Sequence, residues 1–94
     1  MKMPTLENLS DADLLESYCT HDSEAALAVL AARYRVLVFG IAFGYTRDLN
    51  SARAVTTRVF LTLARKATSI RGRVSVADWL RHTAADECNS DVQN

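Results

Sequence analysis

Ninety-four residues are enough for a single domain that folds without covalent staples. Net charge is zero but unevenly spread: residues 1–32 carry one lysine against six carboxylates (net −5), residues 33–82 ten Arg or Lys against two aspartates (net +8), and residues 83–94 three carboxylates (net −3). Two cysteines, Cys19 and Cys88, exclude a disulfide framework, and the N-terminus lacks a signal-peptide core, so a reducing cytoplasm is expected.

Residues 1–9 contain the only proline, Pro4, and little periodicity; they read as a mobile lead-in. Ser10 followed by Asp13 has the form of an N-terminal capping box, and Leu14, Leu15 and Tyr18 give a short first helix its apolar side. Thr20, His21 and Asp22 break the pattern, with Asp22 placed to cap the second helix.

The run from Glu24 to Tyr45 predicts the central helix. Leu27, Leu30, Tyr34, Leu37, Ile41 and Tyr45 recur at steps of three and four, and Val29, Val36, Phe39 and Phe43 make a second apolar line. A helix apolar on more than one side is expected to be covered on more than one side. Arg33 and Arg35 interrupt the run, which reads as too short for a membrane span. The helix is expected to end at Gly44 or to continue through Tyr45 and Thr46 for part of a turn, with Asp48 the next cap.

Leu49 to Lys66 is the cleanest amphipathic stretch. Leu49, Ala52, Thr56, Val59, Phe60, Leu63 and Ala67 share one side, while Arg47, Arg58 and Arg65 fall together on the opposite side. That basic stripe is either a solvated face or a contact for phosphate or an acidic protein. Residues 68–74 form a linker in which Arg71 and Arg73 flank Gly72, suited to a phosphate backbone or simply to a charged turn. Ser75 and Asp78 repeat the capping-box form, and Val76, Trp79, Leu80, Thr83 and Ala84 offer a face for a fourth helix ending near Cys88; residues 89–94 read as a frayed tail.

No strand alternation, internal repeat or glycine-rich phosphate loop occurs. The expectation is one all-α domain over residues 1–94, a compact bundle of about four helices around the long central one. Cys19, His21, His82 and Cys88 lack common zinc spacing, and no nucleophile, base and orienting group occur at a readable spacing. Neither a metal, a cofactor, a small-molecule substrate nor a membrane is expected, and no enzymatic activity.

DADLLESY, then HDSEAALAVLAARYRVLVFGIAFGYTRDLNSAR, then VFLTLARKA, then ADWL, resembles region 2 of bacterial sigma-70 factors, particularly the extracytoplasmic-function type. The match runs without a gap from about Ser10 to Phe60 and resumes at Trp79, and its specificity lies in the spacing of all the segments together. The resemblance implies a helical domain that docks on the clamp helices of core RNA polymerase and melts promoter DNA. By position, Trp79 and Leu80 would be the family's Trp-Leu pair, and Arg71, Arg73, Trp79 and Arg81 the nucleic-acid-binding group. Charge capture of the backbone combined with an aromatic residue for bases fits such a groove.

The departures fall at contact positions. Ala54 and Thr57 stand where the family has an acidic residue and a glutamine for polymerase, and Arg58 where it has an acid. After Trp79-Leu80, where the family adds arginines, this chain has Ala84, Ala85, Asp86, Glu87 and Asp91; carboxylates beside a phosphate groove repel it. A second reading is therefore open: a sigma-derived interaction or regulatory module that binds neither polymerase nor DNA, whose Arg47, Arg58 and Arg65 meet an acidic protein partner. The helix-turn-helix that such factors carry further on does not occur in these residues, which leaves open whether they are a fragment.

Overall fold

The computed structural model describes residues 6–92, with side chains described as far as Asn89. Four side chains begin its four helices. The Asp13 N–H donates to Ser10 Oγ (3.1 Å) at the start of α1, Asp11–His21. The Ala26 N–H donates to Ser23 Oγ (3.2 Å) at the start of α2, Glu24–Thr46. The Ser51 N–H donates to Asp48 Oδ2 (2.8 Å) before α3, Leu49–Ile70, and the Asp78 N–H to Ser75 Oγ (3.4 Å) before α4, Val76–Val92. Each cap satisfies a backbone donor that the helix itself leaves unpaired. The fold is all-α, a small helical bundle.

Three expectations about the turns are corrected or narrowed. Asp22 does not cap α2: it ends α1 in the left-handed region (φ 50°), its N–H donating to the Ser17 carbonyl, and Ser23 is the cap. Reversing the chain between two helices in so few residues requires one positive φ, which Asp tolerates better than most. Of the two ends open for α2, Gly44 is not the terminator: the helix continues through Thr46 to Arg47, again left-handed (φ 56°), with the Arg47 N–H donating to the Phe43 carbonyl at 2.8 Å. Helices α3 and α4 outlast Lys66 and Cys88; in α3 the extra turn is held because Ala67 and Ile70 prolong its buried line.

The core is built from i, i+4 and i, i+3 lines: Leu14 and Leu15 of α1; Ala26, Leu30, Val38 and Ala42 of α2; Val55, Val59, Leu63 and Ile70 of α3; Val76, Leu80, Ala84 and Cys88 of α4. Helix α2 touches all three others, so it is central as expected. Its cover is incomplete: of the second apolar line Val29 and Phe39 pack against the core and Val36 and Phe43 do not. Val36 is 82% exposed and Phe43 is open because both lie opposite the arc of Ala26, Leu30, Val38 and Ala42, and Tyr45 is open near the end of the helix. The bundle measures 51 × 24 × 18 Å, and so elongated a body leaves the outer arc of its longest apolar helix uncovered. At 23 residues α2 is also long and apolar enough, by length and composition, to cross a bilayer, contrary to expectation.

Residues 1–5, with Pro4, and residues 93–94 lie outside the described residues. The rest of the expected lead-in is fastened: Leu6–Asn8 form a 3₁₀ turn, and Leu6 and Leu9 pack against the core. Arg33 holds this segment by donating to the carbonyls of Glu7 (2.7 Å) and Leu9 (2.6 Å) and to Asp11 Oδ1 (2.9 Å).

Candidate interaction surface

The basic stripe expected on α3 separates into unlike parts. Arg47 belongs to the α2–α3 turn, where its backbone closes α2, and its side chain is exposed. Arg58 points at α4, its Nε 3.2 Å from Glu87 Oε2. It is half-buried and, with Leu61, Thr62, Ala64, Arg65 and Glu87, lines a hollow of about 300 Å³. Arg65 is exposed on the rim of that hollow.

The four residues proposed for nucleic acid lie on the α3–α4 connection and the first two turns of α4. Arg71 reaches back to α1, with Nη1 3.4 Å from Glu16 Oε1. Arg81 pairs with Asp78 one turn earlier (3.3 Å), both well exposed. Trp79 is half-buried against the core, which leaves part of its ring at the surface. Arg73 follows Gly72 (φ 72°), makes no ion pair among the described residues, and borders a hollow of about 490 Å³. The same hollow is bordered by Ser10 and Ser75, the caps of α1 and α4.

Asp11 is the most engaged carboxylate. Beyond Arg33, it accepts a hydrogen bond from the Tyr34 hydroxyl. That bond, with burial second, holds the Tyr34 hydroxyl above the ordinary tyrosine range. Two adjacent α2 residues thus grip the first residue of α1. Asp48 is held below the ordinary aspartate range, chiefly by the Ser51 backbone N–H and then by its side chain. Cys88 is fully buried and Cys19 half-buried, Cys19 beside Thr68 of α3. Among the described residues no three His, Cys, Asp or Glu side chains converge.

A further surface was not anticipated from the sequence. Along the seam of α2 and α3 runs a trough walled by Leu27, Ala28 and Ala31 on one side and Thr57, Phe60 and Leu61 on the other, with Tyr18 at one end. It continues past Arg35, Thr56 and Thr57 into a hollow bordered by Val36, Phe39 and Arg53. The signals were present: Leu61 lies off the core line of α3, and α2 has more apolar residues than one face can use.

Compared with known protein families, with curated proteins and with solved structures, the chain matches none.

Proposed function

We propose that this chain is a sigma-factor-like domain of bacterial transcription initiation, acting in the cytoplasm by binding core RNA polymerase and promoter DNA. The observation that supports it is spatial. The stretches carrying the resemblance are consecutive helices of one bundle, and their leucine, valine and alanine positions supply its core. What remains outside includes Arg47 and Arg65, for a protein partner, and Arg73 with the open part of Trp79, for single-stranded DNA. Binding needs charge on the backbone and a stacking surface for bases, which Arg73 in the α3–α4 connection and Trp79 in the first turn of α4 supply. The reading assigns binding and no chemistry.

The ion pairs of Arg71 and Arg81 favour the second reading, an interaction module with an acidic protein partner, whereas that of Arg58 takes a cation from both readings. Each pair occupies a cation that the first reading would use. Their weight is limited, because partly exposed pairs are worth about 0–1 kcal/mol and a phosphate can displace the carboxylate. Titrating the chain against a clamp-helix fragment of RNA polymerase, and separately against single-stranded DNA, at low and moderate salt, decides between them. Saturable binding to both supports the transcription reading. A folded chain that binds neither at either salt refutes it and leaves the interaction module.

A further inference from the structure

The α2–α3 trough has walls, length and charge that specify an occupant. It extends from Glu24 to Phe39 along α2, about 22 Å at 1.5 Å per residue, or four turns of helix. Leu27, Ala28, Ala31, Phe60 and Leu61 make the first half apolar, with one carboxylate, Glu24, in its lining; in the second half Val36 and Phe39 share the lining with Thr56 and Thr57. Leu61 is 57% exposed and Val36 82% exposed, so a large apolar area on adjacent helices faces water. Two cations, Arg35 from α2 and Arg53 from α3, border the second half from opposite walls; both are exposed and neither forms an ion pair among the described residues.

We propose that this trough is the docking site for an acidic amphipathic helix of a partner protein. A helix suits it because both walls are helices, whose side-chain ridges present grooves, and because a helix brings no unsatisfied backbone into an apolar channel. Its apolar residues at i, i+3, i+4 and i+7 meet Leu27, Ala31, Phe60 and Leu61, and carboxylates on its flanks meet Arg35 and Arg53. A second copy of this chain does not supply such a helix. Its acidic helix α1 already spends Leu14 and Leu15 on the core, and α4 spends Val76, Leu80, Ala84 and Cys88.

The trough contains none of Arg47, Arg65, Arg73 and Trp79 and meets the hollow of Arg58 and Arg65 only at Leu61 and Ala64, so the inference does not rest on the transcription reading. The test is a display library of helical peptides of about 16 residues, with a fixed Leu/Ala stripe and flanks randomised among Glu, Lys, Gln and Ser, selected on the intact chain. Expected is enrichment of Glu on the flanks. An enriched peptide should lose about tenfold or more in affinity on L61E, and R35E with R53E should switch the preference to Lys. All three positions are exposed, so these variants keep the fold, and V36E, on the same trough, replaces any that does not. The inference is overturned by no enrichment, by flanks enriched in Lys or indifferent to charge, or by binding that survives L61E. Concentration-dependent self-association of the chain that L61E abolishes also overturns it, by making a second copy the occupant.

Discussion

Substituting Leu63 and Phe60 separately by alanine tests which side of α3 carries the fold. Leu63 is completely buried at the centre of the α3 core line, whereas Phe60 is half-buried on the trough wall. Truncating Leu63 removes about three methylene equivalents, about 2.4 kcal/mol of transfer free energy, and leaves a cavity that raises the cost to about 3–4 kcal/mol. Phe60 is the larger side chain, yet with part of its ring already in water its loss costs about 1–2 kcal/mol. Against a total of about 5–14 kcal/mol for a chain of this length, L63A uses up a large share. In urea, with a slope near the small-domain minimum of about 1 kcal/mol/M, L63A shifts the midpoint by about 3–4 M and F60A by about 1–2 M. A larger shift for F60A than for L63A would refute the packing described here and restore the helix face expected from periodicity.

Three other perturbations test the turns and the N-terminal fastening. R33M removes three hydrogen bonds that fasten residues 7–11 to α2; a loss of about 1–2 kcal/mol is expected, with hydrogen exchange at Leu6–Leu9 rising well ahead of the core. R47G relieves a left-handed arginine at the end of α2 and should raise thermal stability by up to about 1 kcal/mol; a fall would mean that the Arg47 side chain contributes more than its backbone strain costs. Asp48 titrates lower in the folded chain than in the unfolded one, so its stabilisation is present above the unfolded value of about 3.9 and is lost as pH falls through the folded value. Unfolding midpoints measured through the acid range should therefore fall less steeply in D48N, which keeps the cap but cannot titrate.

Helical periodicity made the core of α3 and α4 legible, since Ala52, Val59, Leu63, Leu80 and Ala84 sit where a one-sided helix requires them. Periodicity failed at α2 for a physical reason. When a helix is apolar all round, its hydrophobic pattern carries no direction, and the choice of Leu30 and Val38 over Val36 is made by where the other three helices stand. The turns were read by residue preference, which named Asp48 and Ser75 correctly. It missed Ser23 and Arg47 because the tight reversals between packed helices put a positive φ on Asp22 and Arg47, which leaves Ser23 to cap α2. The trough is a property of two helices at once, so neither α2 nor α3 announces it alone.

The charge blocks of the sequence acquire a different meaning once folded. Among the described residues, ion pairs join the basic middle to the acidic ends: Arg33 to Asp11, Arg71 to Glu16 and Arg58 to Glu87. The uneven charge thus serves in part to fasten α1 to α2 and α3, and α3 to α4, each exposed pair adding little but all of them matching the same register. Cations used in this way are poor evidence of an external partner, however conspicuous in the sequence. Arg35 and Arg53 differ in that neither pairs with a carboxylate within the described residues, and they face each other across exposed apolar surface. Added salt should therefore change the stability of the domain only slightly while weakening whatever docks against those two arginines, and a partner whose affinity ignored salt would be held by the apolar wall alone.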